Sequence, residues 1–140
     1  MFKRILVPVD FTPKSREAVA VANRFARESE ATVILLHIIE TVQDAQFDEL
    51  RELHARAEST AREKMAQLVA EVLDPALPFE TRLVEGSRSK EQEIVEFAKG
   101  NEIDLIVMAS HRVQPEPGRG VGTVSYKVGI LAPCAIILVK

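Results

Sequence analysis

Runs of apolar residues alternate along the chain with segments in which apolar residues recur every three or four positions. The runs cover residues 5–9, 32–39, 103–108 and 135–139, and most of their members are Val, Ile or Leu. A nearly continuous run of this kind is typical of a parallel strand that is covered on both faces. Residues 79–84 instead alternate apolar and polar side chains, which predicts a strand at the edge of a sheet. The pattern therefore predicts five strands.

The segments between these strands have the periodicity of helices. In the first two segments the apolar side chains share one helix face. They are Ala18, Ala22, Phe25 and Ala26 in the first, and Ala61, Met65, Leu68, Val69 and Val72 in the second. Thr12 before Pro13 predicts a helix start, and Ser89 with Gln92 predicts a capping box. A last short helix begins near Gly122 and must end before the final strand.

Strict alternation of strands and helices favours right-handed crossovers and a parallel sheet. We predict an α/β fold with an open, five-stranded, doubly wound sheet of order 3-2-1-4-5, helices on both faces, and a single domain over residues 1–140. Ligands of such sheets bind beyond the carboxyl ends of the strands, where the winding reverses. The loops to search begin at Asp10 and Ala109.

Composition and charge narrow the classes of function. Apolar residues make up 46% of the chain and charged residues 28%, as in an ordinary globular protein. A formal net charge of −3 argues against a nucleic acid polymer as partner. Cys134 is the single cysteine, which excludes an internal disulfide and suits a reducing compartment. No apolar stretch has membrane-spanning length, so we expect a cytoplasmic protein with no membrane partner.

Residues 108–125 lead from a strand through a loop into a helix, a layout that suits a phosphate group. Gly120 and Gly122 would let the backbone approach a ligand, and Arg112 and Arg119 could add positive charge. The equally weighted alternative is a solvated loop in which Thr123 only caps the helix. No zinc site is expected, because His37 and His54 lack metal-ligand spacing and a nearby cysteine.

Four segments carry a pattern that extends along essentially the whole chain. They are residues 3–10 (KRILVPVD), 37–38 (HI), 104–108 (DLIVM) and 132–139 (APCAIILV). Together they resemble the universal stress protein family. Its ATP-binding branch has a glycine, two residues, a second glycine, nine residues, and a third glycine followed by Ser or Thr. These places fall here on Ala109, Arg112 and Gly122 with Thr123, so the spacing is kept while two of the three glycines are replaced.

The resemblance implies a site for ATP or a related adenine nucleotide, with Mg²⁺ accompanying it. Its adenine and ribose end would be lined by Pro8, Val9, Asp10 and Ile38, and its phosphate end, next to Met108, by Ala109, Arg112, Gly122, Thr123, Val124 and Ser125. Arg112 either obstructs the phosphates or itself binds them. Asp10 either contacts the ligand or only caps the first helix together with Thr12.

The resemblance also implies a regulatory or binding protein that forms a homodimer through its last strand. One alternative is a dimeric interaction protein that binds no nucleotide. Another is a slow ATPase, for which Asp10, Glu116 and His111 are the candidate bases or metal ligands. No established catalytic arrangement accompanies these residues, and the sequence favours a protein that is not an enzyme.

Overall fold

The computed structural model describes residues 1–40, 48–110 and 124–140. Strands and helices alternate in it as the sequence predicts. In chain order they are β1 (Arg4–Pro8), α1 (Pro13–Ser29), β2 (Thr32–Glu40), α2 (Asp48–Glu71), β3 (Phe79–Gly86), α3 (Lys90–Gly100), β4 (Leu105–Ala109), α4 (Val124–Leu131) and β5 (Ala135–Val139). Among the described helices none is both long and apolar enough to cross a membrane.

The strands form one sheet of five in the order β3-β2-β1-β4-β5, and every neighbouring pair is parallel. The predicted fold class and strand order are confirmed. The chain winds from β1 outward to β3, returns through α3, and continues from β4 to β5. The direction therefore reverses between β1 and β4, whose carboxyl ends lie side by side near the middle of the sheet.

Successive strand residues supply two separate cores, because side chains alternate between the faces of a strand. Leu35 and Leu105 belong to the cluster that α1 and α2 cover. Leu36 and Ile106 belong to the cluster under α3 and α4. All of these side chains are fully buried, and each such burial contributes about 1.5–3 kcal/mol. The predicted cover of helices on both faces is confirmed.

Side-chain caps fix the start of two helices. The hydroxyl of Thr12 accepts a hydrogen bond from the backbone N–H of Ser15 over 3.3 Å, and α1 begins at Pro13. Ser89 and Gln92 form the reciprocal capping box at the start of α3. Both predicted caps are confirmed. The cap at Thr12 makes α1 begin close after the end of β1, at the edge where the winding reverses.

Asp104 lies at the amino-terminal ends of the strands and holds the beginning of β1 in place. Its carboxylate accepts hydrogen bonds from the backbone N–H groups of Lys3 and Arg4 over 2.8 and 3.0 Å. The predicted strand over residues 103–108 accordingly starts later, at Leu105, because Asp104 is used to bind the beginning of β1.

The two edge strands differ in how well the sequence predicts them. β3 lies at one edge, as its alternating pattern indicates. The apolar run of β5 predicts cover on both faces, but Ala135 and Leu138 are exposed and the other residues of the strand are half-buried. The cover is incomplete because β5 lies at the edge where the predicted strand order places it, with β4 as its single neighbour in the sheet.

Candidate functional site

The carboxyl ends of β1, β2 and β4 form the edge at which the predicted site residues converge. Pro8 ends β1 and pairs with Leu36, while Ala109 ends β4 and pairs with Val139. Both Pro8 and Ala109 lie on the central strands, and Ala109 is 9% exposed. The chain leaves both strands at this end of the sheet, which is where open α/β sheets bind their ligands.

An apolar wall lines this edge on the side of α3 and α4. Ile38 of β2 and Met108 of β4 are 8% and 6% exposed. Both belong to one cluster with the fully buried Val128, and Val124, the first residue of α4, packs against that cluster. The structure therefore brings together predicted residues that lie far apart in the sequence. Such a wall can hold the face of a flat, apolar ring.

Val9 faces the opposite core. Its side chain is buried in the cluster under α1 and α2. Its N–H donates to the carbonyl of Leu36 over 2.8 Å, and its carbonyl accepts from Nδ1 of His37, also over 2.8 Å. Since a carbonyl oxygen can only accept, Nδ1 of His37 carries the proton. The side chain and both polar backbone groups of Val9 therefore all make contacts within the fold.

Asp10 is exposed where β1 passes into α1. Its Oδ1 accepts hydrogen bonds from the backbone N–H and the hydroxyl of Thr12, over 3.1 and 2.6 Å. These contacts are the ones that a capping role predicts, and they also fix the direction of the carboxylate. A negative charge at this position is further favoured by the amino end of α1.

Phe11 follows Asp10 in the left-handed backbone region, with φ of 64°. This conformation costs an L-residue about 1–2 kcal/mol. The ring of Phe11 lies on the imidazole of His37, with 4.4 Å between the ring centroids. Nζ of Lys64, on α2, lies 6.0 Å from the centroid of the Phe11 ring. The sequence pattern does not predict this contact, although a polar His37 within an apolar run is a signal for it.

Gly86 lies at the end of β3, next to Ile38 of the neighbouring strand β2. A Cβ atom on Gly86 would come within 2.9 Å of Cγ2 of Ile38 and 3.0 Å of Cγ of Glu93. Glu93 is itself only 9% exposed, and its carboxylate accepts a hydrogen bond from Nε of Arg88 over 3.2 Å. The absence of a side chain at Gly86 thus allows Ile38 to occupy its place in the wall.

α4 lies on the same side of the sheet as the apolar wall and begins with Val124. Ser125 is buried, with 5% exposure. Lys127 contacts Glu91 of α3, with 3.4 Å between Nζ and Oε1. Desolvation acts to raise the pKa of Glu91, but hydrogen bonds from its own backbone N–H and from Ser89, together with Lys127, outweigh it and lower that pKa. Glu91 is therefore a carboxylate that binds α4 to α3.

Several predicted residues lie outside the described residues. They are Arg112, Gly122 and Thr123 of the proposed phosphate end, and His111 and Glu116 of the ATPase alternative. Within residues 1–40, 48–110 and 124–140, no group of three or more His, Cys, Asp or Glu side chains is arranged to hold a metal ion.

Comparison with known proteins shows which family of proteins this chain belongs to. Residues 1–140 match the model of the universal stress protein family. The chain belongs to the universal stress protein family.

Individual relatives agree with this assignment. A curated universal stress protein of Thermus aquaticus is 32% identical over 145 residues, which covers all of both chains. The solved universal stress protein UspA of Lactobacillus plantarum is 27% identical, with a TM-score of 0.79 over 99% of this chain and 98% of that one.

A more distant family member from Arabidopsis thaliana was solved with AMP bound. It has a TM-score of 0.64 at 17% identity, over 99% of this chain and 91% of that one. For this chain such a likeness shows the shared fold.

Proposed function

We propose that this protein binds ATP or a closely related adenine nucleotide between the carboxyl ends of β1 and β4. It acts as a regulatory binding protein and not as an efficient enzyme. The observation that carries the proposal is the convergence of Ile38, Met108 and Val124 into one apolar wall at the end of the sheet where β1 leads to the oriented carboxylate of Asp10. This convergence lies where the winding of the sheet reverses.

The adenosine half of the ligand has matching partners among the described residues. An adenine ring is flat and buries its faces against apolar side chains, which Ile38 and Met108 provide. Ribose hydroxyls and the adenine amino group donate hydrogen bonds, and the exposed carboxylate of Asp10 is an acceptor. Pro8 forms the rim next to Asp10, and Val9 supports it from the opposite core.

The phosphate half would meet the amino end of α4. The N–H groups at Val124 and Ser125 and the positive end of the helix dipole favour an anion. Ala109 and the three residues outside the described part (Arg112, Gly122 and Thr123) complete the proposed set. Mg²⁺ would enter with ATP as its counterion. The Arabidopsis family member with bound AMP supports the choice of nucleotide.

Thermal unfolding tests this proposal, because a ligand that binds only the folded state raises its stability. At ten times its dissociation constant the nucleotide adds about 1.4 kcal/mol. We expect ATP with Mg²⁺ to raise the melting temperature and GTP to leave it unchanged. Chromatography of the same samples should show no ADP formed. An equal shift with GTP would contradict an adenine site, and ADP formation that is lost in Asp10→Asn would favour the ATPase alternative.

The exposed edge of β5 supports a homodimer as the functional unit. β5 is apolar throughout, and Leu138 remains 37% exposed at the edge of the sheet. Tyr126, Ile130 and Leu131 of α4 are also exposed. Pairing of β5 with its counterpart in a second copy would cover this edge by a symmetric contact.

Sedimentation tests the dimer. Leu138→Glu places a charge on the proposed interface, and Leu53→Glu, at an exposed leucine of α2, is the matched control. We expect wild type and Leu53→Glu to sediment as dimers and Leu138→Glu as a monomer. A monomeric wild type at micromolar concentration would contradict the proposed interface.

A further inference from the structure

His37 lies on β2 and is not among the residues that contact the proposed ligand. Its side chain points to the face opposite Ile38, because successive residues of a strand alternate. Backbone pairing of β1 with β2 runs through Pro8 and Leu36. Beyond that pair, Nδ1 of His37 donates to the carbonyl of Val9 over 2.8 Å. A side chain thus binds the backbone of β1 just past the end of this strand.

The same imidazole also supports the residue on the other side of Asp10. The ring of Phe11 lies against it, with 4.4 Å between centroids and 38° between planes. Phe11 has a left-handed backbone, which a bulky side chain adopts only where its surroundings hold it. His37 therefore contacts Val9 by a hydrogen bond and Phe11 by ring packing, and Asp10 lies between these two residues.

We infer that His37 is a positioning residue that fixes the backbone on both sides of Asp10 and so sets the direction of its carboxylate. The inference rests on the proposed function for its consequence, since Asp10 is the polar contact of the adenosine end. His37 itself does not touch the ligand. The imidazole keeps its proton on Nδ1 whether the ring is neutral or protonated, so the hydrogen bond to Val9 persists in both states.

Two substitutions separate the hydrogen bond from the bulk of the side chain. His37→Asn places an amide N–H near the position of Nδ1, whereas His37→Leu keeps an apolar side chain without a donor. His54→Leu, at a histidine of α2 that contacts Glu85, is the control. We expect His37→Leu to weaken ATP binding about fivefold, the loss of one net hydrogen bond. His37→Asn should weaken it less, because it keeps a donor for Val9 and loses only the ring packing on Phe11, and His54→Leu should bind as the wild type does.

Nuclear magnetic resonance gives a readout that does not require nucleotide. The imidazole ¹⁵N shifts of His37 should show the proton on Nδ1, and the backbone amides of Asp10 and Thr12 should shift more in His37→Leu than in His37→Asn. If the wild type binds no adenine nucleotide, the proposed function fails, and these shifts alone decide the positioning role. Unchanged Asp10 and Thr12 amides in His37→Leu, or a ring with its proton on Nε2 and none on Nδ1, would overturn the inference.

Discussion

Ile38 of β2 fills the space that a side chain on Gly86 of β3 would need, at the carboxyl ends of these two strands. A Cβ atom there would lie 2.9 Å from Cγ2 of Ile38, closer than side-chain atoms pack in folded proteins. Because Ile38 belongs to the apolar wall of the proposed site, this contact links the packing of an edge strand to ligand binding.

Gly86→Ala therefore should destabilise the protein by about 1–3 kcal/mol, the usual cost of overpacking a core. It should also weaken ATP binding, since Ile38 has to move. Gly100→Ala is the matched control, because a Cβ atom at Gly100 meets nothing within 4 Å. Urea unfolding measures both variants. Equal stability of the two would show that the packing around Ile38 is looser than the structure indicates.

Ile38 and Ile39 allow the apolar wall to be tested within one strand. They are 8% and 6% exposed, and they point to opposite faces of β2. Replacing either by Ala should cost about 2–5 kcal/mol of stability. Only Ile38→Ala should also weaken ATP binding, roughly tenfold, because it removes apolar contact with the adenine. Calorimetry at low temperature, where both variants stay folded, makes the comparison; equal affinities would place the adenine elsewhere.

Asp10 serves Thr12 as a capping acceptor in the structure, and its proposed role toward the ligand can be separated from that one. Asp10→Asn keeps an acceptor for Thr12 but removes the charge, whereas Asp10→Ala removes both. We expect Asp10→Ala to lose about 1 kcal/mol of stability and Asp10→Asn to lose much less. Both should bind ATP more weakly than the wild type. If Asp10→Asn bound ATP with wild-type affinity, the charge of Asp10 would have no role in ligand binding and the residue would act only as a capping acceptor.

Asp74 links stability to acid pH. The backbone N–H of Ala76 and the side chain of Arg27 donate to its carboxylate over 2.9 and 2.6 Å, and these bonds lower the pKa of Asp74. A lowered pKa means that the folded state binds fewer protons than the unfolded state. The resulting stability is present above the unfolded pKa, near 4, and is lost as the pH falls through the folded pKa.

Asp74→Asn should consequently show a smaller fall in melting temperature below about pH 4 than the wild type does. Arg27→Met removes one of the two donors and should flatten the same curve in part. Melting temperatures measured from neutral pH down to the acid limit of folding provide the test. If the curves of melting temperature against pH had the same shape for all three proteins, Asp74 would not contribute to acid unfolding.

Local patterns carried much of the fold and part of the site. The buried strands, the cap at Thr12 and the face of α1 follow from residue spacing alone, because they depend on near neighbours. The edge position of β5 came from the predicted strand order and not from its apolar run, since such a run does not tell whether a strand is central or an edge. β4 and β5 have similar apolar runs, but β4 is buried throughout and β5 is exposed or half-buried.

The contacts of His37 and Gly86 needed the register of the sheet. That the imidazole reaches Val9 follows from the pairing of Pro8 with Leu36, and that Gly86 lies against Ile38 follows from the pairing of β2 with β3. Neither pairing is a property of a local sequence window. The resemblance implies that Val9 lines the site, and the structure adds that its side chain packs in the core opposite Ile38.

Calorimetric titration of ATP with Mg²⁺ into the wild-type protein tests the central claim most directly. We predict saturable heat with one nucleotide bound per chain, weaker binding of adenosine because it lacks phosphates, and no binding of GTP. The absence of any heat at millimolar ATP would contradict an adenine-nucleotide site between β1 and β4.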